Sequence, residues 1–375
     1  MNTCPLKIGI VLNFKTAEKK KDELMYVNST KRPWLKLAND KDHVKHSIMR
    51  DSKRYVPVDV ALGLYLESTF GDKVCIDYIT PDDISVKRFN QNDIVFLMQY
   101  DLLEAFHLAD KSKFRTFKKV LETCKNVYPP YKYQRFINNK CTYYNYLQKN
   151  GIPTASTFCV DIPLMSSFER NPDKFIDEIL FKVKKRGWEY FILKPVYGQE
   201  AFGFKKFVDM DLDSLAIRTK LKNYVNKYGK IYNSLIVQEY IAGFDKNNLE
   251  ARTYFINGKY LFAMATSGLC HTYTMREARP VQEGGTFKIS DEKWNYIKRL
   301  AKRVMRTLPR FDNMPSIITR IDIGSGLEGV PHTFFVNEVE FAPSFFIEKH
   351  DEPVIQKIGD ALFNLAKLKS TKKFI

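Results

Sequence analysis

Three carboxylates sit inside otherwise apolar runs near the end of the chain: Asp322 in TRIDIG, then Glu338 and Glu340 in VNEVEFAPS. Both runs read as strands. Side chains alternate along a strand, so Glu338 and Glu340 point to one face and can converge on one cation. Hard oxygen ligands of this kind suit Mg²⁺ that also holds phosphate oxygens. The plainer alternative is a solvated acidic face. The apolar setting argues against it, as does the scarcity of acids in a chain with 60 Lys and Arg against 43 Asp and Glu.

The resulting net charge of +17 points to an anionic partner, which the charge alone leaves open among nucleic acid, membrane surface, nucleotide and acidic metabolite. An AT-rich genome is a plainer source, since 28 Phe and 21 Tyr accompany the lysines. No RNP-like, zinc-finger or helix-turn-helix signature accompanies the charge, so nucleic acid is not the expected partner. A length of 375 residues implies two or three domains, and 44% hydrophobic with 27% charged residues excludes a disordered or collagenous chain.

The six cysteines (Cys4, Cys75, Cys124, Cys141, Cys159, Cys270) form no CxxC pair, so neither a zinc site nor a disulfide framework is expected. The first apolar run is too short for a signal segment and no stretch approaches 18 apolar residues, so the expectation is a cytoplasmic protein with no membrane partner.

Short apolar runs at 6–13, 74–79 and 93–98, with a helix-compatible stretch at 58–67, predict a small N-terminal α/β domain. The Lys/Arg-rich segment 15–54 reads as a surface excursion. Pro129 and Pro130 mark a boundary. A helix follows, carrying Lys140 and ending at Asn150-Gly151. Later come strands at 190–193 and 235–237 and a helix at 212–225. A hairpin turns at Asn257-Gly258, an amphipathic helix runs from Trp294 to Leu308, strands follow at 316–323 and 333–339, and a helix around 355–365 closes the chain.

The segment ILKPVYGQEAFGF sets Lys194 at a strand end before a loop bounded by Gly198 and Gly203. Lysine there can act as a point charge on phosphate, and the glycines permit close backbone approach; the loop is not a Walker A sequence. VQEYIAGFD is a strand running into a turn whose backbone can lie along an adenine edge. With KCTYYNYLQKNGIPTAST, EARTYFINGKY, EGGTFKIS, RIDIG and NEVEFAP, and in this order, the chain from about Pro130 to Lys369 resembles the ATP-grasp superfamily.

That resemblance implies an α/β N-terminal domain (1–128), a central ATP-grasp subdomain with the phosphate loop (129–235) and a C-terminal subdomain with the metal site (236–375). ATP and Mg²⁺, or Mn²⁺, are the implied cofactors. Lys140 and Lys194 match the lysines on the α- and β-phosphates, and Gly198 to Gly203 match the loop over the terminal phosphates. Gln238, Glu239, Tyr240 and Ile241 match the adenine hinge. Asp245 or Glu250 matches the ribose carboxylate, and the sequence does not choose between them. Asp322, Glu338 and Glu340 match the metal ligands. Arg320 matches an arginine that stabilises the transferring phosphoryl group, its plainer alternative being a salt bridge to Asp322, and Arg252 matches one that reaches substrate. The sequence departs from the pattern at Glu340, where Asn is usual, and at Gln199, Glu200 and Phe202, where small residues are usual.

REARPVQEGG, with Arg276, Arg279, Gly284 and Gly285, resembles the glutathione synthetase and ribosomal-protein glutamate ligase branch. The implied activity is a carboxylate-amine ligase acting through an acylphosphate. It would join an anionic small-molecule or peptide carboxylate to an amine acceptor. The alternatives are an ATP-grasp kinase of the inositol-polyphosphate type, for which Lys205, Lys206 and Arg276 are candidates, and a catalytically silent nucleotide-binding module.

Overall fold

The computed structural model describes residues 5–12, 24–98, 101–198, 201–208, 211–247, 249–267, 276–280, 290–311, 316–345, 347 and 353–372. The first sheet is parallel, with strands in the order Val74–Ile79, Leu6–Val11, Ile94–Leu97, Val127–Tyr128. Its central strands are almost wholly buried, as expected of short continuous apolar runs. The helix Val58–Phe70 buries every residue from Val58 to Leu66. It can do so because a second element covers it: the closing helix Val354–Lys372 brings Ile355, Ile358 and Leu362 into the same core. Tyr65 Oη donates to Asp360 Oδ1 at 2.8 Å, and a Cβ on Gly359 would stand 2.4 Å from the Tyr65 ring. The two helices therefore meet at a glycine.

The expected surface excursion is corrected in its described part. Leu24–Tyr26, Lys53–Pro57 and Ile48–Arg50 form a three-stranded antiparallel sheet, and Pro33–Asn39 a 3-10 helix. Leu24, Met25, Trp34, Leu35 and Ala38 are buried there. These apolar residues come in pieces too short to show a period among the cations, so local pattern could not reveal them.

A second sheet is antiparallel, in the order Lys205–Phe207, Phe191–Pro195, Ser234–Glu239, Thr157–Asp161. The helices Pro172–Lys185 and Leu215–Tyr228 share its core. The first of them is absent from the sequence reading, although Asn171 caps it, Pro172 opens it and Phe175, Ile176, Ile179, Leu180 and Val183 line its buried face.

A third sheet, also antiparallel, runs Arg276–Pro280, Lys259–Ser267, Leu249–Ile256, Ile318–Gly324, Phe335–Glu340. One face packs against the helix Asp291–Thr307, through Trp294, Ile297, Ala301 and Val304, and against the helix Lys140–Lys149. Asn257 and Gly258 turn the hairpin with φ of 49° and 74°, as the sequence predicts. Gly151 takes φ 66° after the Lys140 helix.

One cysteine expectation is overturned. Cys141, next to Lys140 on its helix, is disulfide-bonded to Cys159 on the strand Thr157–Asp161. Only the packing of that helix beside the strand brings the two together, and sequence spacing carries no trace of it. Closing an 18-residue separation stabilises by about 3 kcal/mol in the chain-entropy account. Denaturant unfolding should therefore show Cys159→Ser less stable than the oxidised parent by about that amount and equal to the reduced parent. Equal stability of all three would show that the bond does not form in solution. No helix among the described residues is long and apolar enough to cross a membrane.

Candidate nucleotide and metal site

The strand register sets the charged residues on one face of the third sheet. Arg252 lies opposite Asp322, Asp322 opposite Glu338, and Arg320 opposite Glu340. Residues in between, such as Ile321 and Val339, fill the core on the other face. The ladder slips by one residue after Asp322, so that Ile323 pairs with Val336 and Asn337 is the extra residue of a bulge. A bulge re-aims a side chain that plain alternation would turn away. Asn337 Nδ2 accordingly donates to Glu250 Oε1 at 2.7 Å, alongside the acids rather than opposite them.

The acids are matched by cations. Arg320 grips Asp322 with two hydrogen bonds, Nε to Oδ1 at 2.8 Å and Nη2 to Oδ2 at 2.7 Å, and Nη2 also donates to Glu340 Oε1 at 2.5 Å. Arg252 Nε donates to Glu250 Oε2 at 3.1 Å and lies 4.0 Å from Asp322 Oδ2. Lys140 Nζ donates to Glu338 Oε1 at 2.7 Å. Burial works against ionisation of Glu338, Asp322 and Glu340, yet the Glu338 carboxyl is held down at about 2 because Lys140 and Lys194 outweigh it. At Asp322 burial prevails over Arg320 and pushes the carboxyl up to about 7. Glu340 is raised as well, by burial first and by the charge of Glu338. Within one cluster, then, Glu338 is lowered while Asp322 and Glu340 are raised.

The opposite wall comes from the second sheet. Lys194 pairs in register with Ile236, and its ammonium sits 5.4 Å from the ring centroid of Tyr144, whose hydroxyl donates to the backbone oxygen of Asn337. The start of the Lys140 helix is tied to the same strand end. Lys140 N donates to Val196 O at 3.2 Å, and Asn139 Nδ2 donates to Tyr197 Oη at 3.0 Å. Lys140 and Lys194, remote in sequence, therefore act on one carboxylate.

The following loop needs its glycines. A Cβ at Gly198 would meet Phe202 O at 2.9 Å; Gly203 has φ 71°, and a Cβ there would lie 2.7 Å from the Pro195 ring. Gln199 and Glu200 lie outside the described residues. At the strand exit Glu239 N donates to Ser156 O at 2.9 Å, Tyr240 N to Tyr190 O at 3.3 Å, and Gln238 Nε2 to Thr157 Oγ1 at 3.1 Å. Glu239, Tyr240 and Ile241 are half-buried there, and burial raises the Glu239 carboxyl.

Of the two ribose candidates, Glu250 is buried with both oxygens engaged by Asn337 and Arg252, while the Asp245 side chain lies outside the described residues. Gly284 and Gly285 also lie outside them, and Arg276 and Arg279 stand on the edge strand of the third sheet. Sequence reasoning missed Asn337 and Tyr144. The first stands inside the quoted motif but needs the bulge to reach the site. The second reads as a core position of its helix.

Asp322, Glu338 and Glu340 each offer an oxygen within 4.8 Å of the others. Opposite ligands of an octahedral Mg²⁺ lie about 4.2 Å apart, so small side-chain rotations would close the set on such an ion. Glu338 and Glu340 keep 30% and 32% of their side-chain surface open, against 2% for Asp322. The open pair is thus the side from which an ion can enter. The donor set is all oxygen, which fits Mg²⁺ or Mn²⁺.

No family model matches the chain, and no curated protein matches it. Solved structures do. D-cycloserine synthetase DcsG superposes with a TM-score of 0.60 at 16% identity, over 96% of this chain and 99% of that one. The D-alanine–D-alanine ligase of Bacillus anthracis complexed with ATP gives 0.54 at 12%, over 97% and 99%. The ATP-grasp ligase PsnB, complexed with a phosphomimetic variant of its minimal precursor, Mg and ADP, gives 0.52 at 15%, over 97% and 100%. The chain has the ATP-grasp ligase fold. The lysines and acids meet where the second and third sheets face each other.

Proposed function

We propose that the chain is an ATP- and Mg²⁺-dependent carboxylate-amine ligase acting through an acylphosphate. The observation that carries this reading is the meeting of Lys140 on its helix and Lys194 on the second sheet with Asp322, Glu338, Glu340 and Arg320 on the third. Asp322, Glu338 and Glu340 would hold Mg²⁺, which supplies charge neutralisation across the phosphates. Lys140 and Lys194 would bind the phosphate oxygens, and the Gly198–Gly203 loop would exclude water over them. Gln238 to Ile241 would line the base. Arg320, already a fixed charge between two carboxylates, would face the group where negative charge spreads during transfer. Arg252, steered by Glu250, would orient the substrate carboxylate.

The substrates are an anionic small-molecule or peptide carboxylate and an amine, and the proposed setting is the cytoplasm. The finer placement beside glutathione synthetase and the ribosomal-protein glutamate ligases is supported by the order of EARTYF, EGG and RIDIG. The domain limits 1–128, 129–235 and 236–375 form part of the same reading, with one addition from the packing: the closing helix serves the N-terminal core.

In a ligase, hydroxylamine intercepts the mixed anhydride, so incubation with Mg-ATP, pooled carboxylates and hydroxylamine should yield hydroxamate together with ADP and phosphate. A stable phosphoester from polyols or inositol phosphates, with no hydroxamate, would overturn the ligase in favour of a kinase. Nucleotide binding without turnover in either pool would favour a silent module.

A further inference from the structure

Within reach of the Lys140 charge but outside the acid cluster, a buried carboxylate faces the second sheet from the N-terminal unit. Glu104 lies on the helix Leu102–Ala109, which follows the third strand of the parallel sheet, and is only 7% exposed. Its Oε1 accepts the hydroxyl of Tyr232, itself buried, from the turn between the helix Leu215–Tyr228 and the strand Ser234–Glu239. One residue away, Ile231 O stands 2.8 Å from Nε2 of His107 on the same N-terminal helix, whose ring lies 5.6 Å from that of Tyr232. The N-terminal unit thus holds the segment leading into the strand Ser234–Glu239 at two adjacent residues. A buried carboxylate is costly unless bonded, and here burial pushes Glu104 up to about 7, with the Tyr232 bond opposing it.

Tyr232 also touches the glycine loop. The ring of Phe202 lies 6.1 Å from that of Tyr232 and 5.6 Å, edge-on, from that of Tyr228. Tyr224 Oη donates to Gly203 O at 2.6 Å from beneath, and Phe204 N closes a turn on Ala201 O at 2.9 Å. Phe202, a large residue in the loop, therefore rests on Tyr228 and on Tyr232, and Tyr232 is bonded to the N-terminal unit.

We propose that Glu104 and Tyr232 are positioning residues that seat the glycine loop through Phe202, so that the N-terminal unit sets how the loop covers the terminal phosphates. The inference rests on the nucleotide reading for what the loop covers, while the seat itself is a property of the protein alone. The ring of Phe202 is the contact, Tyr232 is its support, and Glu104 is the anchor. Removing the tyrosine hydroxyl frees the support without emptying the space it fills.

Two measurements on the full chain test this. Hydrogen exchange without nucleotide should show amides 202–204 exchanging about tenfold faster in Tyr232→Phe and Glu104→Ala. Glu104→Gln, which keeps an oxygen for the hydroxyl, should follow the parent. Calorimetry with Mg²⁺ and AMPPNP should show affinity falling about 5- to 20-fold in Tyr232→Phe and in Phe202→Ala, with adenosine affinity unchanged. The double variant should lose no more than the weaker single one, because both act through one contact, and Phe202→Trp should restore binding. Unaltered exchange in Tyr232→Phe, or additive losses in the double variant, would overturn the seat while leaving nucleotide binding by the parent intact. A parent that binds no AMPPNP would instead overturn the nucleotide reading, and with it the role assigned to the loop, even if exchange rises.

Discussion

Arg320→Ala is expected to be the most damaging single change in the molecule. The guanidinium is buried and satisfies Asp322 twice and Glu340 once. Its loss leaves two carboxylates without their main counter-charge, and breaking a buried ion pair from one side costs about 3–5 kcal/mol. Chemical denaturation should show that loss directly. Mg²⁺ supplies a second discriminating readout. If the three acids hold the ion, it should stabilise Arg320→Ala more than the parent, because it replaces the missing charge and binds only the folded chain. Equal Mg²⁺ shifts in both proteins would mean that the acids serve the arginine alone. In the hydroxamate assay the variant should be inactive even where Mg²⁺ restores its fold.

The second large effect concerns the two lysines. A charge-assisted contact contributes about 1.5–3 kcal/mol, so Lys140→Ala or Lys194→Ala should weaken Mg-ATP binding by roughly 10- to 150-fold in calorimetry. They differ in what else they release. Lys140 is hydrogen-bonded to Glu338, whereas Lys194 acts on that carboxylate through its charge and rests beside the Tyr144 ring. Either loss removes part of the charge that holds the Glu338 carboxyl near 2. A group lowered in the folded state adds stability above its unfolded value, near 4.5, and that stability disappears as pH falls toward 2. Acid unfolding of Lys140→Ala should therefore begin at higher pH than that of the parent. If both variants bound Mg-ATP as tightly as the parent, the phosphate role of the lysines would be wrong.

Much of this candidate site is legible in the sequence. Alternation alone set Glu338 and Glu340 on one face, and the strand end followed by glycines marked Lys194 and its loop. The Asn257-Gly258 turn, the helix from Trp294 and the Gly151 cap are local features, and local features are what periodicity and turn chemistry encode. The exceptions were also physical. Trp34 and Leu35 belong to a core built mostly by distant segments, the helix Val58–Phe70 and the closing helix among them, and the Cys141–Cys159 bond depends on a helix lying beside a strand from another part of the chain.

What the amino-acid sequence determined by itself was the set of chemical groups and the elements that carry them: acids on two late strands, one lysine on a helix, another on a strand end, and glycines where the backbone must turn closely. The tertiary structure alone decided how those groups partner. The register puts Arg320 against Glu340, the bulge turns Asn337 to Glu250, and packing brings Lys140 to Glu338 and Tyr232 to Glu104. The reason is that pairing across a sheet or between units depends on register and on which surfaces meet, and a shift of one residue would exchange every partner while leaving the local pattern nearly unchanged.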